Sequence, residues 1–111
     1  MSAWKAWERH VASILGGRRR GPQTKGDDGG GLSDVKDVPR IIADIPSMSV
    51  ECKLLGAPGY MQMLAATKQA ESAASDGAMP VAFVKKKYVN NSDALVVIRL
   101  EMFEKFFKPE S

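Results

Sequence analysis

Apolar residues recur at spacings of three and four along the first fifteen positions. Trp4, Trp7, Val11 and Ile14 form one stripe, which predicts an amphipathic helix over 3–15, and Gly16-Gly17 supplies its stop. Between Met48 and Leu54 the period changes to two. Met48, Val50, Cys52 and Leu54 share one face of a strand, and Ser49, Glu51 and Lys53 share the other. Residues 60–75 read as a second, alanine-rich helix with Met61, Leu64, Ala65 and the Lys68 stem on one side, ended by Gly77. The runs Pro80–Val84 and Ala94–Ile98 are β-rich and almost continuously apolar, which predicts central strands covered on both faces. Arg18–Arg20 could open a short strand, Ser33-Asp34-Val35 begins a strand-like piece, and Glu101–Phe107 reads as a short terminal helix. Residues 21–33 have the composition of a flexible glycine-rich loop. The resulting order predicts an α/β fold, a mixed central sheet flanked by helices, with the second helix making the crossover between two strands.

The chain of 111 residues suits one domain, taken as 1–111. The single Cys52 excludes an internal disulfide and fits a reducing compartment. No apolar run approaches a membrane span, and the N-terminus lacks a signal-peptide core, so a cytoplasmic protein is expected. Net charge is only +3, but it is unevenly distributed. Lys5, Arg9, Arg18, Arg19, Arg20 and Lys25 face the single acid Glu8 in the first 25 residues, and Lys85, Lys86 and Lys87 form a second basic cluster. The intervening section is acidic. Such a layout suits a polyanion gripped at its edges and a cation held at the centre.

The charge pair on the second face of the 48–54 strand changes the picture most. Glu51 and Lys53 lie adjacent, and Asp34 precedes them on a neighbouring strand-like piece. Two carboxylates supply hard oxygen ligands of the kind Mg²⁺ takes, and the Cys52 carbonyl between them is a third candidate. A lysine beside them could orient a water or stabilise charge developing on a phosphate. Glu8, from the first helix, could complete the shell directly or through a water, and Gln69, on the second helix, could hold a water or a phosphate by its amide. Asp44 competes with Asp34 as a ligand, and Asp27 and Asp28 lie in the glycine-rich loop. No Gly-Lys-Ser/Thr follows that loop, so a nucleotide-binding P-loop is not supported.

Glu8-Arg9, Gly16-Gly17-Arg18, Ser33-Asp34-Val35 and Val50-Glu51-Cys52-Lys53, in that order and spacing, resemble the PD-(D/E)xK nuclease superfamily. Lys68-Gln69-Ala70 and Pro80–Val84 stand where that pattern expects a helix and a following strand. The likeness is closest to the small Holliday junction resolvases of archaea and their phage-borne relatives. It departs from the pattern at Ser33, where a proline usually precedes the metal aspartate, and in the long stretch from Asp34 to Glu51. The resemblance implies a restriction-endonuclease-like core and a Mg²⁺-dependent endonuclease, with Mn²⁺ as substitute, cutting branched or double-stranded DNA without a nucleotide cofactor. It makes Asp34 and Glu51 metal ligands, Lys53 catalytic and Glu8 the helix acid, with Arg9, Arg18, Arg19, Arg20, Lys25 and Lys85–Lys87 as DNA contacts. If phage-encoded, such a protein would act in the host cytoplasm. Nucleases of flaps, ends or linear duplex, and a non-catalytic DNA-binding module, are the alternatives. A four-way junction presents two symmetric strands to cut, which calls for a homodimer; Met102, Phe103, Phe106 and Phe107 crowd the terminal helix and would leave apolar surface for a partner.

Overall fold

A computed structural model describes residues 2–20, 33–39, 47–75 and 77–107. Most of the loop expected at about 21–33, including Lys25, Asp27 and Asp28, lies outside the described residues, as does the stretch from Arg40 to Ile45 with Asp44. The elements run α1 (Ala3–Leu15), β1 (Arg18–Arg19), β2 (Val35–Lys36), β3 (Ser47–Leu55), α2 (Tyr60–Ala73), β4 (Ala78–Lys86), β5 (Leu95–Val97) and α3 (Leu100–Phe106), with a 3₁₀ turn at Asn91–Asp93 before β5. The fold is α/β. β3 pairs with β4 in parallel through the α2 crossover, and β4 pairs with β5 antiparallel, giving a mixed sheet in the order β3-β4-β5. β1 and β2 form a separate antiparallel pair.

The sheet is covered on both faces. Val50 and Cys52 of β3 and Val81 and Phe83 of β4 meet Trp7, Val11, Ala12 and Leu15 of α1, with Val35 of β2 in the same cluster. On the opposite face Ala82 and Val84 meet Ala66 of α2, with Met63, Leu55 and Val97 packed around them. The alternation expected for β3 is therefore present, but its polar face is not a solvent face. Ser49 is buried under α2 and donates its hydroxyl proton to the Ala70 carbonyl at 2.7 Å. Small residues at Ala66 and Ala70 let α2 approach the sheet this closely.

Both long helices are rotated from the stripes read in the sequence. α1 buries Trp7, Glu8, Val11, Ala12 and Leu15, while Trp4 and Ile14 are 49% and 61% exposed. α2 buries Ala66, Thr67 and Ala70 and leaves Met61 exposed. In α2 the buried line is set by small residues that fit beneath the helix, which a count of large apolar residues overlooks. α1 ends as expected: Gly16 adopts the left-handed conformation at φ 70°, and the Gly17 N–H returns to the Ala12 carbonyl at 3.0 Å.

β4 is central and buried from Ala78 to Val84, as its apolar run implies. β5 is not. It is the edge strand, and Leu95 and Val96 are exposed; strong β propensity marks a strand without saying whether neighbours cover it. α3 buries no residue fully. It is anchored by an ionic fork just before it, where Arg99 donates to both carboxylate oxygens of Glu71 on α2 at 2.6 and 2.7 Å. Among the described residues no helix is long and apolar enough to cross a membrane.

Candidate active site on the edge of strand β3

One edge of β3 is taken by β4. The other edge receives the segment Ser33–Asp34, which joins the β1–β2 pair to the main sheet. The Ser33 hydroxyl accepts the Val50 N–H at 2.8 Å and donates to the Val35 carbonyl at 2.7 Å. The Asp34 N–H donates to the Val50 carbonyl at 2.7 Å. Next along, the Asp34 carboxylate takes the place of a backbone carbonyl: Oδ2 accepts the Cys52 N–H at 2.7 Å. Asp34 is thus fixed against β3 by its main chain and side chain together. The Ser33 hydroxyl adds a bond to this junction that a proline could not make, since proline has no side-chain acceptor for the Val50 amide. A residue's N–H and C=O leave a strand on the same edge, so the Cys52 carbonyl also faces the Asp34 side.

Glu51 and Lys53 project from β3 on the α2 face as an ion pair, Nζ to Oε1 3.3 Å. Glu8 reaches the same region from α1. Its partner is not the helical neighbour Lys5 but Arg19 on β1, whose Nε donates to Oε1 at 2.6 Å. That arginine also lies over the Trp4 ring, 5.4 Å from its centroid. The rotation of α1 is what turns Glu8 inward, and the short β1–β2 pair is what brings Arg19 to it.

The three carboxylates feel one another. Burial raises the pKa of Glu8, Asp34 and Glu51 alike, and this outweighs the opposing effects of Arg19 on Glu8, the Cys52 amide on Asp34 and Lys53 on Glu51. Asp34 raises both of the other two. The Cys52 thiol points into the α1 face, and burial pushes it up as well, so it is an inert core thiol.

These raised values have a consequence for stability. The folded protein holds protons at the three carboxylates more tightly than the unfolded chain does. Their contribution is complete below the ordinary 3.8 of Asp and 4.5 of Glu and is lost as pH rises through the elevated folded values. Glu51→Gln is therefore expected to raise the melting temperature at pH 7 in EDTA by a few degrees and to flatten its dependence on pH above 4.5. Lys53, left without its partner, is 31% exposed and can turn to water. Thermal melts of both proteins across that range check this; an unchanged profile would mean that Glu51 ionises without penalty.

The remaining sequence candidates are placed as follows. Gln69 is exposed on α2 and takes no part in the contacts that join Glu8, Asp34, Glu51 and Lys53. Arg18 is exposed, 3.6 Å from Asp37. Arg20 donates Nε–H to the Ser33 carbonyl at 2.6 Å, and Lys85 donates to Asn91 at 2.6 Å. Lys86 and Lys87 are exposed, as is Arg9. Arg19 and Arg20 thus have structural partners close to Asp34 and Glu8, a role the sequence did not suggest. The Ser33 junction was also missed, although a serine next to an aspartate favours local side-chain-to-backbone bonds.

Among the described residues, no three His, Cys, Asp or Glu side chains close into a cage for a metal ion. Mg²⁺ does not require one, since it is held by one or two carboxylates and keeps several waters. Asp34 and Glu51 fit that need: both are hard oxygen donors, a bound cation would favour the ionised carboxylates that burial disfavours, and the soft thiol nearby faces away. Cavities of about 420, 530 and 400 Å³ are not lined by either acid, although the third is bordered by Arg20, Ser33 and Val35 beside Asp34. No protein-family model, curated protein or solved structure matches the chain.

Proposed function

We propose that the protein is a Mg²⁺-dependent endodeoxyribonuclease, most simply one that resolves four-way DNA junctions. The observation carrying this reading is the Asp34 carboxylate seated on the Cys52 amide beside the Glu51–Lys53 pair, with Glu8 completing the acid cluster. Asp34 and Glu51 would hold the metal, with the Cys52 carbonyl on the same edge and Glu8 acting directly or through a water. When bound, Mg²⁺ supplies positive charge to phosphate oxygens and lowers the pKa of an attached water; Mn²⁺ would substitute. Lys53 orients the attacking water or offsets negative charge as the phosphorus is attacked. Arg18, Lys86 and Lys87 are exposed cations available to the DNA backbone on either side. The resemblance to PD-(D/E)xK nucleases supports the reading by the order of these residues, and junctions are preferred to flaps or linear duplex on that resemblance alone.

The test is cleavage of a four-way junction, a flap and a linear duplex of matched sequence, with Mg²⁺ and with EDTA. Cutting of flap or duplex with no junction preference would keep the nuclease and discard the resolvase. Binding without cutting would favour a second reading, a DNA-binding module, for which there is one specific observation: each carboxylate already has a structural partner in Arg19, the Cys52 amide or Lys53.

Paired cuts on a symmetric junction require two sites of matching polarity, so a twofold homodimer is part of the proposal. Val96 on edge strand β5, 63% exposed, and Leu100, 70% exposed, with Phe103 and Phe107 beside it, offer the apolar surface for it. Sedimentation equilibrium at micromolar concentration is expected to give a dimer, and Leu100→Glu a monomer. A wild-type monomer that still makes paired cuts would refute the symmetry argument.

A further inference from the structure

At the far end of β4 the chain makes a turn that folding alone does not explain. The Val89 N–H returns to the Lys86 carbonyl at 3.3 Å, placing Lys87 and Tyr88 at the centre of a β-turn. Tyr88 has φ 68°, whereas Lys87 does not share this left-handed conformation. That is the sign pattern of a type II turn, whose third position is normally glycine or asparagine. A bulky residue there is strained. Its side chain recovers nothing by burial, being 103% exposed. Tyrosine at this position weakens the turn and contributes nothing to the core, so its role lies outside the chain.

The surroundings indicate what it meets. Lys85, Lys86 and Lys87 precede it, and no ion pair among the described residues engages them. Tyr88 borders a cavity of about 420 Å³ also lined by Trp7, Leu54, Lys85, Lys87 and Asn91. The Lys85 ammonium lies over the Trp7 ring, 5.6 Å from its centroid. Trp7 and Leu54 belong to the α1 face of the sheet, so the cavity opens on that face beside the turn. A flat aromatic ring held away from the protein beside a run of cations has the chemistry of single-stranded nucleic acid recognition, in which a base stacks and phosphates are neutralised.

We propose that Tyr88 is a stacking platform for an unpaired nucleobase of DNA, with Lys86 and Lys87 holding the flanking phosphates. The inference rests on the DNA-directed reading above and specifies that its substrate carries an unpaired or unstacked base. The test is fluorescence titration without divalent metal, using a duplex with one bulged 2-aminopurine, a fully paired duplex of equal length, and anionic phospholipid vesicles. The wild type is expected to bind the bulged duplex at least about fivefold more tightly than the paired one and to quench the 2-aminopurine. Tyr88→Gly and Tyr88→Asn both suit the left-handed turn, so they should melt no lower than wild type; both should lose the preference and the quenching. Tyr88→Phe should keep both. Retention of the preference by the glycine and asparagine variants, or its absence in the wild type, would overturn the stacking role and leave the nuclease reading intact. Failure to bind either DNA would remove both. Vesicle binding that depends on Tyr88, without any preference for the bulge, would assign the turn to a membrane surface and overturn the proposal.

Discussion

Glu51→Gln, Asp34→Asn and Lys53→Ala are each expected to reduce Mg²⁺-dependent DNA cleavage by about a thousandfold or more, with the fold intact. The three substitutions remove different things. Asp34→Asn is the most discriminating, because an amide oxygen can still accept the Cys52 N–H that Oδ2 now accepts at 2.7 Å. The link between the β1–β2 pair and β3 survives while the charge is lost. If Asp34 were only a ladder substitute, the asparagine variant would cut DNA like the wild type. Glu51→Gln removes a charge that burial and Asp34 both make harder to sustain. It should therefore melt higher while cutting slower, a combination that misfolding cannot produce. Lys53→Ala leaves both metal-ligand candidates and removes only the ammonium 3.3 Å from Glu51. DNA binding should persist in all three and tighten slightly in the two acid variants, since a carboxylate near phosphate repels it. The measurement is a single-turnover cleavage rate beside a binding titration in EDTA. Full activity in any one variant would remove that residue from the proposed mechanism.

The sequence carried more of the site's residues than of the contacts that place them. Period-two alternation put Glu51 and Lys53 on one face of β3, and they are paired there. The same alternation could not show that Ser49, on that face, lies buried against Ala70, because a serine's burial depends on the distance at which α2 packs. Asp34 was recognisable as an acid ahead of a strand. Its seating on the Cys52 amide, beside the Ser33 hydroxyl on the Val50 amide, joins residues seventeen and eighteen positions apart, which no local pattern encodes. Gln69 was drawn from its place on the second helix and the chemistry of its amide; α2 turns Ala66, Thr67 and Ala70 to the sheet and leaves Gln69 exposed. Arg19 read as a DNA contact because it sits in a run of three arginines. A two-residue strand turns it back onto Glu8, whereas Arg18 beside it stays exposed. Alternate residues of a strand face opposite ways, so a charge run need not act as one surface.

Trp7→Ala is expected to destabilise the protein by about 3–5 kcal/mol, a large part of the roughly 5–15 kcal/mol available to a domain. Trp7 is 4% exposed and fills the core between α1 and the sheet. Its indole N–H donates to the Phe83 carbonyl on β4 at 3.1 Å, so truncation both opens a cavity and removes a bond between layers. Trp7→Phe retains the ring and loses the bond, and should cost about 1–2 kcal/mol. Trp4 supplies the control. It belongs to the same three-and-four spacing in the sequence, but it is half exposed and touched by Arg19 and Lys5 over its ring. Trp4→Ala should therefore cost only about 1 kcal/mol. The gap between the two variants in urea midpoint measures the rotation of α1 that turns Glu8 inward. Equal losses would place both indoles in the core, with Glu8 back at the rim and outside the acid cluster. If α1 is docked as described, Trp7→Ala should also lower cleavage wherever the protein remains folded, because it loosens the helix that carries Glu8 one residue away.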